Sequence, residues 1–168
     1  MKGLIIIGYQ GIGKSSLGGK DGCIDLESSN FYVDRERYPN WYIPYTNIAM
    51  DLANQGYTVF TSSHECVYKE FWKLSLWIDI KYKNIAHIVI FRPKPEMKHE
   101  WIERLQERYN RTSLTKDYRA LLGAKENFYG NMHGLDQAGF EIFEPDSIDY
   151  DLYDYVKIIR ERYCKESE

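Results

Sequence analysis

The chain has 168 residues, of which 43% are hydrophobic and 28% charged, and its formal net charge is −3. This length fits one domain with a buried core, whereas the slight acidic excess disfavours a dedicated nucleic-acid binder, which usually carries a basic surplus. The three cysteines, Cys23, Cys66 and Cys164, form no CxxC pair and are typical of reduced thiols in a cytosolic protein. No apolar stretch is long enough for a signal-peptide core or a membrane span. We therefore expect a cytoplasmic protein without a membrane partner.

Apolar runs predict five strands, and apolar residues at helical spacing predict helices between them. The first strand is the run at residues 4–7 (LIII), and such an unbroken aliphatic run is typical of a strand buried on both faces of a parallel sheet. Further strands are expected at residues 23–26, 57–61, 85–91 and 140–143. Helices are expected at about residues 14–17, 44–55, 67–78, 96–109, 115–129 and 152–163, and residues 27–42 are expected to form a loop.

The alternation of strands and helices predicts a parallel sheet covered by helices on both faces and joined by right-handed crossovers. There is no internal repeat or linker, so residues 1–168 are expected to form a single domain. Ligands of such sheets bind at the carboxyl ends of the strands. The residues expected at those ends are Gly8, Asp25, Ser62, Ser63, His64, Arg92 and Glu144.

Residues 8–15 (GYQGIGKS) match the pattern G-x-x-x-x-G-K-[ST] directly after the first strand. The glycines allow successive backbone N–H groups to converge on an anion. Lys14 is expected to bring its charge to the β- and γ-phosphates, and the Ser15 hydroxyl is expected to bind Mg²⁺. We therefore predict that the chain binds a nucleoside triphosphate, ATP, together with Mg²⁺. The expected nucleotide-binding residues in and beside this loop are Gly8, Gln10, Gly11, Ile12, Gly13, Lys14, Ser15 and Ser16.

The order of strand, phosphate-binding loop, short helix and acid-bearing strand resembles the small-molecule kinases of the P-loop class, namely the nucleoside monophosphate, shikimate and gluconate kinases. The chain also resembles small P-loop kinase-like proteins of phages and prophages. The resemblance covers most of the chain by element order and a smaller part by specific motifs. It implies a P-loop NTPase-type three-layer α/β/α fold with a five-stranded parallel sheet and a helical lid at about residues 96–130.

The resemblance also implies roles for residues that follow the second and third strands. Shikimate-type kinases carry an acidic pair at the end of the second strand, which contacts Mg²⁺ and the acceptor hydroxyl. Here Asp25 and Glu27 stand two residues apart, on the same side of a strand, so Asp25 is expected to serve in catalysis and metal binding, and Glu27 in acceptor binding. Ser63 and His64 match the acceptor contacts after the third strand, although the same residues are also typical caps of the following helix.

Arg104, Arg108 and Arg111 stand at i, i+4 and i+7, on one face of the predicted fourth helix. P-loop kinases carry a lid whose arginines close over the phosphates, so the resemblance implies a catalytic role for Arg104 and Arg108 and nucleotide binding for Arg111. The alternative is a solvated face on which these arginines pair with the interleaved glutamates.

The third strand ends in Ser63 and the fourth in Arg92, so neither carries the Asp of a Walker B motif, and there is no Asn-Lys-x-Asp base reader. These absences disfavour other P-loop classes. The leading hypothesis is a Mg²⁺-dependent kinase that transfers the ATP γ-phosphoryl group to a small acceptor, a nucleotide or nucleoside. A non-catalytic nucleotide-binding regulatory protein and a polynucleotide 5′-hydroxyl kinase are the alternatives.

Two features of the sequence depart from the pattern of a standard kinase. Only ten residues separate Lys14 from Asp25, which predicts a very short first helix. Nucleoside monophosphate kinases also use an arginine to grip the acceptor phosphate, and here Arg35 and Arg37 are candidates for this role by their position alone.

Overall fold

The computed structural model describes residues 3–32, 34–81 and 86–163, with the backbone alone at residues 77–81. Ile85, which was expected to open a strand, and Cys164 lie outside the described residues. The five strands are Leu4–Gly8 (β1), Cys23–Asp25 (β2), Thr58–Ser62 (β3), His87–Phe91 (β4) and Glu141–Phe143 (β5). The six α-helices of the described part are Lys14–Leu17 (α1), Tyr42–Asn54 (α2), Glu65–Lys81 (α3), Lys98–Thr112 (α4), Thr115–Asp136 (α5) and Leu152–Tyr163 (α6). Short 3-10 helices lie at Ser28–Asn30 and Pro95–Met97.

The five strands form one sheet in the order β2-β3-β1-β4-β5, and every neighbouring pair is parallel. The mixed α/β architecture with a five-stranded parallel sheet is therefore confirmed. The central strand is β1, where Ile5 is in register with Val59 of β3 and Ile88 of β4. The aliphatic side chains of β1 are fully buried, which confirms the prediction of a strand covered on both faces; burying one such side chain stabilises the fold by about 1.5–3 kcal/mol.

The connections of two neighbouring strands run in opposite directions. From β1 the chain passes toward the edge strand β2, whereas from β3 it crosses β1 to reach β4 on the other side. Where connections diverge in this way, a crevice opens at the carboxyl ends of the strands, and this is the usual ligand site of a parallel sheet. Here that crevice lies between the ends of β1 and β3.

The helices differ from prediction mainly at their ends. Helix α2 begins two residues before Pro44, which a first helical turn tolerates because its N–H groups have no intrahelical partner. Helix α5 continues to Asp136, seven residues beyond its predicted end, and Asn127 interrupts it with a non-helical backbone at φ −144° and ψ 34°. Among the described residues, no helix combines the length and the apolar character needed to cross a lipid bilayer.

Candidate functional site

The loop between β1 and α1 has a backbone that only glycine adopts readily. Gly11 has φ 87° and Gly13 has φ 102°, both in the left-handed region that favours glycine. Side-chain space is also short, because a Cβ atom built on Gly8 would lie 2.5 Å from Ile12 Cδ1. The glycine spacing in residues 8–15 is therefore required by the conformation of this loop.

Three successive carbonyl oxygens of the loop, those of residues 10, 11 and 12, accept hydrogen bonds from side chains on other elements. The donors are, in order, Trp101 Nε1 at 2.9 Å, Arg104 Nε at 2.8 Å and the Tyr150 hydroxyl at 2.7 Å. The N–H groups of Gly11 and Gly13, in contrast, have no acceptor among the described residues. Outward carbonyls with unbonded N–H groups are the arrangement of an anion-binding backbone concavity.

Lys14 lies directly beside these N–H groups. Its Nζ donates hydrogen bonds to the carbonyl oxygens of Gly8, at 3.1 Å, and Thr61, at 3.3 Å, which belong to β1 and β3. Burial lowers the pKa of Lys14, and the negative charge of Asp25 acts in the opposite direction. The amino group of Lys14 is thereby fixed at the ends of β1 and β3, beside the crevice. Since α1 has only four residues, its dipole adds little at this place.

The crevice opens into a cleft of about 500 Å³, which we call the main cleft. The predicted site residues that line it are Gly8, Gln10, Gly11, Gly13, Lys14, Ser15, Asp25, Glu27, Ser63, His64 and Arg108. Of the other predicted site residues, Ile12 is buried and Ser16 donates its hydroxyl to the Gly13 carbonyl at 2.7 Å. Five of the seven residues expected at strand ends, Gly8, Asp25, Ser62, Ser63 and His64, therefore line the main cleft, and what they bind remains a prediction. Arg92 and Glu144 do not line it and instead pair with each other, with Arg92 Nη2 3.0 Å from Glu144 Oε1.

Asp25 and Glu27 face the main cleft in different electrostatic states. Burial raises the pKa of Asp25, and the charge of Lys14 only partly offsets this effect. For Glu27, burial alone would also raise the pKa, but a hydrogen bond from Lys116 Nζ to Glu27 Oε2 at 3.1 Å brings it below its usual value. Burial thus dominates at Asp25, whereas the ion pair with Lys116 dominates at Glu27 and links the end of β2 to the start of α5.

Mg²⁺ is a hard cation that is usually bound by one or two carboxylates together with substrate phosphates. The Ser15 hydroxyl and the carboxylates of Asp25 and Glu27 line the same cleft and offer oxygen ligands of this kind. The described residues contain no group of three or more His, Cys, Asp or Glu side chains arranged to hold a metal ion by themselves. The donor set thus fits a cation that is held largely by a bound phosphate.

The three arginines of α4 have different environments. Arg108 lines the main cleft, and its Nε lies 2.8 Å from Oδ1 of the buried Asp117, not beside a glutamate of α4. Arg104 lies behind the loop, where it donates to the carbonyls of Gly11 and Ile148. Arg111 is exposed near the end of α4 and does not line the main cleft. Only Arg108 therefore faces the space in which all three were expected to act.

His64 is held against aromatic rings at the end of β3. Its ring centroid lies 5.6 Å from that of Tyr32 and 5.5 Å from that of Trp41, and its Nδ1 lies 2.9 Å from the Ser62 hydroxyl oxygen. His64 keeps an exposed surface, but partial desolvation of its ring between neighbouring groups, followed by the positive charges of Arg35 and Lys14, lowers the pKa of His64 to about 4. The imidazole is thus neutral at physiological pH. The main-chain carbonyl of His64 accepts the first backbone hydrogen bonds of α3, from the N–H groups of Val67 and Tyr68. Among the described residues, no side chain of Ser63 or His64 caps this helix.

Tyr45 connects the two strands beside this histidine. Its hydroxyl donates to the Leu26 carbonyl at 2.7 Å and accepts from the Ser62 N–H at 2.9 Å. Both Tyr45 and Trp41 are buried. These two aromatic side chains, which follow β2 in the chain, therefore pack in the core.

Sequence reasoning missed the donors that fix the loop, especially Trp101 and Tyr150, and it missed Asp117 as the partner of Arg108. Tyr150 lies 138 residues from its acceptor Ile12, so no local pattern connects the two. Trp101 was recognised only as part of an apolar helix face.

No protein-family model matches this chain, and no curated protein sequence matches it.

Proposed function

We propose that the chain is a Mg²⁺-dependent phosphotransferase of the P-loop kinase type, which binds ATP at residues 8–15 and transfers its γ-phosphoryl group to a small nucleotide or nucleoside. The observation that carries this proposal is the pair of unbonded N–H groups at Gly11 and Gly13 beside the Lys14 ammonium. Donors of this kind, fixed before the ligand arrives, stabilise phosphate charge without further reorganisation.

The chemistry assigned to the other residues follows from their positions around the main cleft. The acceptor hydroxyl oxygen attacks the γ-phosphorus, the bond from that phosphorus to the β–γ bridging oxygen breaks, and ADP leaves. Asp25, whose pKa is raised by burial, accepts the hydroxyl proton. Arg108 and Lys116 at the rim of the cleft stabilise the charge of the transferred group. Ser15 and Asp25 would hold Mg²⁺, which would supply further charge neutralisation on the phosphates.

One observation favours the alternative of a nucleotide-binding protein without turnover. Both rim cations are already paired with carboxylates, Arg108 with Asp117 and Lys116 with Glu27. Such pairing reduces the charge available to a moving phosphoryl group. Nucleotide affinity without ADP formation on any acceptor would support this alternative, and transfer to an oligonucleotide 5′ end would support a polynucleotide kinase.

The first test is the affinity for Mg-ATP of the wild type and of Lys14→Ala, measured by calorimetry. Loss of a charged hydrogen-bond donor should weaken binding about 10- to 100-fold. Lys20→Ala is the matched control, because Lys20 is an exposed lysine outside the main cleft, and its affinity should equal that of the wild type. Wild-type protein that fails to bind Mg-ATP, or equal affinity in Lys14→Ala, would contradict the proposal.

A further inference from the structure

The main cleft extends away from the loop into a space between α3 and α5, which we call the α3–α5 half. Its polar and open positions are Glu65 and Tyr68 on α3, and Asn127, Gly130, Asn131 and Gly134 on α5. The segment from Ser62 to His64 joins the end of β3, where Lys14 is bound, to the start of α3. The α3–α5 half is therefore the space next to the position of a terminal phosphate at Lys14.

Tyr68 provides an unpartnered polar group in this space. Its side chain is buried, with 8% exposure, and it lines the main cleft. No described residue forms a hydrogen bond with its hydroxyl, which faces α5: a Cβ built on Gly134 would lie 2.8 Å from it. The Tyr68 hydroxyl oxygen is not among the fully buried polar atoms that lack a partner in the described chain, so it reaches the surface of the cleft, where a ligand or water can bond to it.

The lysines and arginines that line the main cleft do not belong to the parts of α3 and α5 that border the α3–α5 half. Lys14, Arg108 and Lys116 belong to the loop, to α4 and to the start of α5, whereas no lysine or arginine occurs among the described residues that line the α3–α5 half. Glu65 adds a carboxylate there, paired with the exposed Lys69. An acceptor phosphate in this half would be removed from water without a cationic partner, which is costly.

Two further arginines lie near the cleft but outside it. Arg35 and Arg119 line a separate hollow, which is also lined by Tyr32 and by the carboxylates of Asp34 and Glu36. The guanidinium of Arg35 stacks over the Tyr32 ring at 4.3 Å. Their charges are thus balanced within the hollow, and neither side chain lines the α3–α5 half.

We propose that the α3–α5 half is the acceptor subsite and that it takes an uncharged, hydroxyl-bearing ring compound, a nucleoside or sugar, with the Tyr68 hydroxyl as a hydrogen-bond partner. This inference rests on the proposed phosphotransferase function and narrows its acceptor, because it excludes compounds that already carry a phosphate. The neutral amides of Asn127 and Asn131 and the phenol of Tyr68 match hydroxyl groups of such an acceptor.

The substrate class is tested by ADP formation from Mg-ATP with matched pairs of acceptors: nucleosides, pentoses and hexoses, each beside its phosphorylated counterpart. The protein should phosphorylate the uncharged compound of each pair with a kcat/KM at least tenfold higher than that for its phosphorylated counterpart. Preference for a phosphorylated member overturns the inference. Nucleotide binding without transfer to any uncharged member overturns it as well.

The role of Tyr68 is tested with Tyr68→Phe. The loss of one hydrogen bond to a neutral group should raise the acceptor KM about 3- to 10-fold, while the KM for ATP stays constant. Folding should be unaffected, because this hydroxyl has no partner within the described chain. Tyr129→Phe is the matched control, since Tyr129 is on the same half of α5 but is 58% exposed and outside the main cleft. Gly134→Ala, which places a methyl group against the Tyr68 hydroxyl, should raise the acceptor KM as well.

Failure of the subsite and failure of the proposed function give different results. Saturation-transfer NMR reports binding of the uncharged compounds without any turnover, and Tyr68→Phe should reduce that signal. If Mg-ATP does not bind, the phosphotransferase proposal fails. If Mg-ATP binds and Tyr68→Phe changes neither the NMR signal nor the acceptor KM, the subsite fails alone.

Discussion

The imidazole of His64 packs edge-on against Tyr32 and Trp41 and shares a hydrogen bond with the Ser62 hydroxyl. In the folded protein its pKa is about 4, below the ordinary value of about 6.5. The unfolded chain therefore binds a proton between these two pH values that the folded chain does not. The free energy of unfolding should fall as the pH falls through this window, because the unfolded state then gains protons.

The charge state of His64 gives a direct prediction. A ¹H NMR titration should assign it a pKa well below 6.5. Arg35→Met should raise this pKa, because the guanidinium of Arg35 is the nearest charge that opposes protonation after burial itself. Arg37→Met is the control, since Arg37 is exposed and stacks on Tyr38, and it should leave the pKa unchanged. A value at or above 6.5 in the wild type would contradict the described packing.

At the scale of elements, α4 supports the loop from behind. Trp101 and Arg104 donate to the carbonyls of Gln10 and Gly11, and a Cβ on Gly11 would lie 2.8 Å from Leu105 Cδ2. Helix α4 was expected to belong to a lid that closes over the phosphates. Its contacts instead hold the peptide groups of the loop in the orientation that leaves the N–H groups of Gly11 and Gly13 available.

Arg104→Met tests this role of α4. Loss of the bond to the buried Gly11 carbonyl should lower the free energy of unfolding of the nucleotide-free protein by about 1–3 kcal/mol, and it should also weaken ATP binding. Arg111→Met, on the same helix but exposed, should change neither property. An Arg104→Met protein that unfolds like the wild type but binds ATP more weakly would instead indicate direct contact with the phosphates. Denaturant unfolding and calorimetry measure the two quantities.

The elements were predictable where local signals bounded them. Strand β1 ends at Gly8 and β4 is followed by Pro93, so apolar runs and breakers located both within two residues. Helix α5 was predicted to end at residue 129, since Gly130 and Gly134 are poor helix formers. The helix continues because Met132 and Leu135 are buried in the core, and this tertiary contact has no local signature.

The candidate site, like the elements, was predictable only where a local sequence signal existed. Lys14, Asp25 and His64 were expected to meet because parallel strands end at one edge of the sheet. Helical spacing placed Arg104 and Arg108 on one face of α4, but it contains no information on which neighbour that face contacts. The positions of these two arginines, one behind the loop and one in the cleft, follow only from the packing of α4.

For the molecule as a whole, the loop conformation depends on distant parts of the chain. The loop begins at the central strand β1, its lysine is bound by β3, and its carbonyls are held by α4 and by Tyr150 just before α6. The conformation of the loop is thus a property of the folded chain, and residues 8–15 alone do not contain it. The positive φ angles of Gly11 and Gly13 fit the glycine spacing of the motif, and phosphate binding by this loop stays a prediction.

The central claim, that the Gly11 and Gly13 amides bind phosphate, is tested most directly by a ¹H–¹⁵N NMR titration with Mg-ATP. The amide resonances of Gly11 and Gly13 should show the largest shifts and saturate together. The resonances of Gly22 and Gly139 should not move. These glycines also have positive φ, but they precede β2 and β5 and so lie at the amino ends of the strands, away from the crevice. Saturating Mg-ATP that leaves the Gly11 and Gly13 resonances unchanged would contradict the account.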